Sequence, residues 1–440
     1  MLRRIGTWVL ALLMLAVTAQ GATLCVNVPG VVALTDARGN ELIPNGSVED
    51  IFTVRADALY AAGSRGAYRL YDAEGQPLSD VEFGMIDDAG KALVFRQGTL
   101  YGAMDARGEV ILPAQWTQLT ADGAGGWLAL EGDPFDEQAD EIIHLSEDGT
   151  ARPTGVYTAS GLRPVSCGRM PFLGDEGRWG AVDGGGHVVI DPTWRYIGPF
   201  EGGCAKASGE RGMGLIDIDG RALIAPVYDW LERGESLVAA RRDIGLDIYP
   251  PRGGARQFHL AGSVGEVAVV GSGFVVADEG RSRLYGAKGQ LLAEGEAGTL
   301  WVQGGRGHLI EVCGAWGERS QRLVSLNGKA ESGRFQQLLP LCDGRYAWLS
   351  LNGVEYYSAE LRRTQKSWDY ANLRYGLADG SGRILLSARY REIRALGEEH
   401  LLLVGDDRVQ LSDRNGAVLK TWFISETEAP SGEAAVAETP

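Results

Sequence analysis

Four stretches of the chain align without gaps: YGAMDARGEVILPAQW (101–116), WGAVDGGGHVVIDPTW (179–194), MGLIDIDGRALIAPVY (213–228) and YGLADGSGRILLSARY (375–390). Each opens on a bulky residue and a glycine, runs through apolar residues to an aspartate, and places a glycine three positions later. A second apolar run follows, in most copies with a proline, and ends on an aromatic. The repeated positions are Tyr101, Gly102, Asp105 and Gly108; Trp179, Gly180, Asp183 and Gly186; Gly214, Asp217 and Gly220; and Tyr375, Gly376, Asp379 and Gly382. The apolar runs are short, rich in β-branched residues and bounded by Gly and Pro, which specifies strands. Aspartate at the start of a turn accepts backbone N–H bonds and the closing glycine takes positive φ. The unit is therefore a β-hairpin with a three- to four-residue connection. The glycine after the first aromatic allows close backbone approach within the sheet, and Pro113, Pro192 and Pro226 are expected to end the second strand.

Weaker copies of the same turn extend the array outward. First turn residues fall at 36, 72, 105, 146, 183, 217, 286, 325, 379 and 413, mostly 33 to 41 residues apart. Degenerate units near Leu246–Pro250 and Tyr356–Leu361 divide the two long gaps, giving eleven or twelve units between residue 31 and about 423. A third apolar segment follows the second aromatic, as in WLALEG (127–132), so each unit is a three- or four-stranded meander. The class is all-β. One such unit buries too little to stand alone, so the units must stack. A propeller-like ring is the expected arrangement and a β-solenoid the alternative. Twelve blades exceed the usual four to eight, so the repeat domain at 31–424 is expected as two sub-arrays or as blades built from more than one unit.

These segments resemble the bacterial WG-repeat (KWG-repeat) family. The best copy is RWGAVDGGGHVVIDPTWRYIGPFEGGCAKA (178–207), which carries the family's Trp-Gly, turn Asp and Gly, Pro, aromatic, and the closing Phe200, Gly203 and Ala205. The resemblance covers about 100–230 and 375–390, and it is weak over 231–370, where Trp-Gly is missing. It implies a β-rich repeat array, often on exported proteins, and no catalytic residue.

Residues 1–22, MLRRIGTWVLALLMLAVTAQGA, have the layout of a secretory signal peptide: Arg3 and Arg4, a mostly apolar run from Ile5 to Val17, then small residues at Val17/Ala19 or Ala19/Gly21. The alternative is an uncleaved anchor, the one route to a membrane. Lipid attachment at Cys25 would need a small residue where Leu24 stands. The expected location is extracytoplasmic, secreted or associated with the cell envelope. In an oxidising compartment Cys167 with Cys204, and Cys313 with Cys342, could pair.

The chain of 440 residues has a net charge of −16, and removal of Arg3 and Arg4 takes it to −18. Such a surface repels phosphate backbones, which speaks against nucleic-acid binding. No P-loop, nucleophile elbow or HExxH motif occurs. The five histidines are scattered, and His187 beside a turn reads as a solvated side chain. No cofactor, metal or catalytic residue is expected. The insertion EGDPFDEQADE (131–141) carries six carboxylates and reads as a solvated loop, with a cation or basic-partner contact as the functional alternative. Trp127, Trp301, Trp316, Trp348 and Trp368 lie off the repeat positions, where exposed rings could stack on sugars or anchor a partner. The acidic tail 425–440 has no aromatic and reads as disordered. The expectation is an exported, non-enzymatic module that binds a protein or polysaccharide or serves as a scaffold. The alternatives are a propeller-type carbohydrate-active enzyme with carboxylates gathered at the axis, and a purely structural envelope component.

Overall fold

The computed structural model describes residues 22–132, 139–174, 176–262, 264–278, 281–296, 299–305, 307–314, 320–350, 353–358, 363–368 and 372–424. The expected signal segment and acidic tail lie outside the described residues, as do Trp316 and the centre of the acidic loop. Alternating hydrophobicity organises the described residues into 42 strands. They form eleven antiparallel sheets of three or four strands, each a meander in sequence order, at 23–43, 50–72, 85–116, 118–158, 170–194, 196–228, 230–261, 266–296, 300–325, 337–390 and 392–423. We number these blades 1 to 11. A separate two-stranded hairpin, Gly353–Ser358 with Arg363–Trp368, is inserted into blade 10. It accounts for the long interval that the sequence assigned to a further unit near Tyr356–Leu361.

The blades stack face to face because their central strands are apolar on both sides. In the second strand of blade 4, Trp127 and Ala129 pack towards blade 3, while Leu128 and Leu130 pack towards blade 5. Period-two geometry sends alternate side chains to opposite faces, and two buried faces make the run continuously apolar. The same logic gives eleven separate core clusters, one at each blade boundary. An open array of eleven sheets has ten boundaries. The eleventh joins the ends: Leu24, Val26 and Val28 of blade 1 pack with Leu402, Val409, Leu411 and Trp422 of blade 11. The structure is thus a single closed eleven-bladed propeller, and the expected two sub-arrays or composite blades do not occur. Each blade is one unit, and face packing keeps adding units until the circle is complete.

Closure uses no shared strand. The chain enters blade 1 at the strand that is second in its neighbours, Thr23–Val28, so the array starts at residue 23 rather than 31. The edge left bare by the missing inner strand is capped by neighbouring blades. Tyr60 Oη donates to Thr23 O at 3.0 Å, Asp57 Oδ1 accepts from Thr23 N at 3.1 Å, and Arg394 donates to Asn27 O at 3.3 Å. Trp422 Nε1 donates to Glu41 Oε1 at 2.7 Å across the junction. Cys25 lies in this strand with its thiol facing Ile51 O at 3.5 Å, and burial pushes that thiol up to about 11.

The turn after the third strand supplies a second interlock. Asp217 Oδ1 accepts from Asp219 N and Arg221 N at 2.9 and 2.8 Å, and Gly220 closes the turn at φ +80°. A β-carbon on Gly220 would lie 3.2 Å from Ile190 of the preceding blade. The same nesting recurs around the ring, from Gly39 against Lys420 of blade 11 to Gly416 against Leu386 of blade 10. Blade 7 keeps the device with Pro250 in place of aspartate and Gly253 seated on Leu223.

The glycine of each signature has a different task. Gly102, Gly180, Gly214 and Gly376 face a β-bulge in the outer strand, where the pairing register shifts. A β-carbon on Gly180 would meet Ile190 O at 2.5 Å and the Phe172 ring at 2.8 Å. The prolines correct one expectation. Pro113, Pro192 and Pro226 lie inside their strands, which continue to the aromatic. These are outer edge strands with a bulge, so a missing N–H costs no ladder bond.

Three substitutions test this packing by urea denaturation. Gly180→Ala should lower stability by about 1–3 kcal/mol through overpacking. Gly333→Ala, where nothing approaches within 4 Å, should stay within about 0.5 kcal/mol of the parent. Trp422→Ala should cost about 3–5 kcal/mol, because it empties the closing interface.

Candidate functional site

The two ends of each blade carry different chemistry. The Asp-Gly turns cluster at one end. The signature aromatics lie at the other, because the first and last residues of the signature are cross-strand partners: Tyr101 with Trp116, Trp179 with Trp194, Met213 with Tyr228, and Tyr375 with Tyr390. Trp116, Tyr228 and Tyr390 are buried in blade boundaries. Around blades 4 to 6 the pattern breaks towards solvent. Tyr196 is 41% exposed and stands edge-to-face on Trp179, with ring centroids 5.5 Å apart. Met213, two strands away in the same row of the sheet, is 38% exposed. The Arg163 guanidinium lies 4.4 Å from the Trp179 ring centroid, a cation–π contact. Glu210 bridges Arg178 and Arg195 at 2.6 and 2.5 Å, and these two partners, Arg195 first, hold its carboxyl below the usual range.

A cavity of about 520 Å³ opens next to Arg163, between blades 3 and 4 and the segment leading into blade 5. Its walls include Arg96, Tyr101, Thr117, Thr120, Arg163 and Pro164, and no carboxylate lines it. Gln118 fixes the geometry: its Oε1 accepts from Leu162 N at 2.6 Å, which pins the Arg163 loop to the inner strand of blade 4. The site is therefore polar and cationic with an aromatic border, on a chain whose net charge is −16.

A second cavity, of about 370 Å³, lies at the blade 6–7 boundary. Asp247 accepts from Tyr228 Oη at 2.7 Å and Arg256 at 2.9 Å, and lies 2.7 Å from His259 Nδ1. Burial works to raise the Asp247 carboxyl, but the bonds from Tyr228 and His259 and the Arg256 charge outweigh it and hold it below its ordinary value. Tyr228 is pushed upward by burial, and then by Tyr249 and Asp247. The polar atoms of this cluster bind one another, so it acts as a polar staple between blades.

The turn aspartates Asp105, Asp183, Asp217 and Asp379 all accept main-chain N–H bonds, at 2.8–3.0 Å. His187 is solvated, its side chain 65% exposed, with Nδ1 3.2 Å from Asp183. Of the off-repeat tryptophans, Trp127 and Trp301 are each 3% exposed in blade boundaries and are no exposed platforms, and Trp348 Nε1 donates to Leu386 O; Trp316 and the Trp368 side chain lie outside the described residues. All five cysteines are thiols, so the pairs that the sequence left possible do not form. Cys313 ends the second strand of blade 9, whereas Cys342 ends the first strand of blade 10 at the opposite end of the blades, about 15–20 Å away for strands of six residues. Cys167 and Cys204 do share a neighbourhood, since Gly203 N donates to Cys167 Sγ at 3.4 Å, but Cys204 is buried in the blade 6–7 core. Among the described residues, no group of three or more His, Cys, Asp or Glu side chains converges as a metal site. Sequence reading missed Arg163 because it lies outside the repeat; its only signal is a cation in the linker before Trp179.

The family model for a WG containing repeat matches residues 179–208. The chain carries a WG repeat. That repeat holds Trp179, Trp194 and Tyr196, the rings of the aromatic face. No curated protein matches the chain. Among solved structures it is similar to BamB from Moraxella catarrhalis, at 15% identity over 64% of this chain and 97% of that one, with a TM-score of 0.29. It is also similar to apo AztD from Citrobacter koseri, at 12% identity over 62% and 92% with a TM-score of 0.28. A third is the extracellular domain of the putative hybrid two component system BT3049 from B. thetaiotaomicron, at 11% identity over 96% and 66% with a TM-score of 0.25.

The Asp247 staple makes stability depend on pH. A carboxyl held below its unfolded value of about 3.9 stabilises the fold above that pH, and this contribution is lost as pH falls through the lowered folded value. Asp247→Asn should therefore cost about 1–3 kcal/mol at pH 7. The gap from the parent in thermal denaturation should narrow as pH falls below about 3.9 and on through the lowered folded value.

Proposed function

We propose that this chain is an exported, non-enzymatic binding module, a rigid eleven-bladed scaffold that presents the Trp179–Tyr196 face and its adjoining cavity to a protein or polysaccharide. The observation that carries the reading is the division of labour within the repeat. Trp116, Tyr228 and Tyr390 close their signatures buried in blade boundaries, whereas the WG repeat at 179–208 leaves Tyr196 exposed on Trp179, with Arg163 against that ring. A protein serving only as structural filler has no use for an exposed aromatic at that position. Aromatic rings with a polar border are the ordinary make-up of recognition surfaces. Export is supported by the layout of residues 1–22 and by the first strand, which starts at Thr23, directly after the expected cleavage region.

A carbohydrate-active enzyme with carboxylates at the axis remains the alternative chemistry. Asp88, on the inner strand of blade 3, is engaged by Arg55 at 2.6 Å, and the bond from Arg55 holds its carboxyl below the usual range, which speaks against it as a catalytic acid.

Cell fractionation with N-terminal sequencing tests the location: the mature chain should be extracytoplasmic and start at Gln20 or Ala22, and a cytoplasmic chain retaining Met1 would contradict export. The immobilised mature chain should retain a component of the envelope. The double variant Tyr196→Ala/Met213→Ala should lose at least 80–90% of that retention, a surface change expected to move stability by only about 0.5 kcal/mol. Equal retention by parent and variant would remove this face from the proposal.

A further inference from the structure

We propose that the cavity beside Arg163 is a binding site for a carboxylated sugar ring, a uronate residue of an acidic polysaccharide. The inference rests on the binding reading above and names the ligand class of that same site. It starts from charge. The chain has 58 acidic residues against 42 basic ones, and its arginines mostly find carboxylates, as Arg55 does with Asp88 and Arg322 with Glu311. Arg96 and Arg163 have no carboxylate partner among the described residues, and both line one cavity that no carboxylate enters. The Arg96 Nε is buried without a hydrogen-bond partner. Leaving a buried donor unsatisfied is costly, and two unpaired guanidinium groups around one cavity are a standing demand for an anion. Arginine's planar fork suits a carboxylate, which it binds through two parallel N–H bonds.

The remaining walls say what carries that carboxylate. Tyr101, Leu119, Leu162 and Pro164 supply apolar surface, while Thr99, Thr117 and Thr120 supply hydroxyls. A ring with an apolar face and equatorial hydroxyls matches such a lining better than an acidic peptide or an alkyl carboxylate. The volume of about 520 Å³ is that of a small-molecule site, typically about 300–1,000 Å³. Arg163, in its wall, also lies over Trp179, on which Tyr196 stands, so the aromatic face offers a polymer a continuation from the ring in the cavity. Nucleic acid offers rings and anions as well, but the overall negative field opposes a long phosphate backbone. A single buried carboxylate meets two local cations and avoids most of that field.

Isothermal titration calorimetry on the mature chain, with tetramers of galacturonate, glucuronate and mannuronate and their methyl esters, decides the matter. At least one acidic tetramer should bind. Its methyl ester, with the same ring and no charge, should bind at least tenfold more weakly. Arg96→Gln and Arg163→Gln should each weaken binding by tenfold or more. Arg69→Gln, which removes an exposed ion-pair partner on blade 2, should leave it unchanged, and circular dichroism and thermal denaturation should report an intact fold for all three. Arg163→Lys should recover only part of the affinity, because it restores charge without the fork. Equal affinity for acid and ester, or no heat with any of the three acids, would overturn the assignment. If the chain still retained envelope material through the Tyr196 face in that event, the binding reading would stand and this ligand class alone would fall. Loss of both would remove the binding reading itself.

Discussion

Everything in this structure depends on face-to-face packing of sheets that are apolar on both sides. A strand such as Trp127–Leu130 sends two side chains into each neighbouring blade, so a blade at the end of a row leaves one face bare. A linear stack would leave two such faces, at blade 1 and at blade 11. The ring removes both by packing Leu24, Val26 and Val28 on Leu402, Leu411 and Trp422. No strand is exchanged to achieve this, which explains why the junction also carries polar contacts from Tyr60, Arg394 and Trp422 to the edge and third strand of blade 1. Glu41 illustrates the cost and its offset: burial raises its carboxyl, and bonds from Trp422 and Lys420 bring it below the usual value.

The hairpin unit was legible from local chemistry. Asp217 to Gly220 specifies its turn through two accepted N–H bonds and one left-handed residue, and this information lies within five positions. Gly180 was legible as a site of close approach because no side chain fits between it and Ile190 O. What local chemistry does not contain is the curvature of the array. The angle between neighbouring blades is set by side-chain volumes on facing strands, many residues apart, so neither closure nor the count of eleven follows from the repeat. The same limit hid the start of blade 1. Thr23–Val28 continues an uncharged run from the N-terminal segment, and its burial becomes evident only when blade 11 lies against it. Blade 7 was visible only as a degenerate unit because Pro250 replaces the turn aspartate, although Gly253 keeps the interlock.

The candidate site shows the complementary lesson. Repeat residues are spent on packing, so function resides where the repeat is interrupted or left open. Arg163 sits in the segment before blade 5, which lacks a regular inner strand, and reaches back over Trp179. Gln118 of blade 4 holds that segment in place. The aromatic signature builds the ring and, at one point on it, becomes surface. Its rigidity is useful for recognition, since preorganised rings and guanidinium groups lose little entropy on binding. The acidic remainder of the molecule makes this cationic pocket a local exception.

The central claim is closure of one ring of eleven blades, and the distance between its two ends tests it most directly. Spin labels at Arg38 in the exposed turn of blade 1 and at Ala417 in the exposed turn of blade 11, in a cysteine-free background, would report that distance by pulsed electron resonance. Closure predicts one narrow distribution at about 15–30 Å, since packed sheets lie roughly 10 Å apart. An open stack of eleven sheets would put the labels on the order of 100 Å apart, beyond the usable range. A missing short distance would contradict the closed ring.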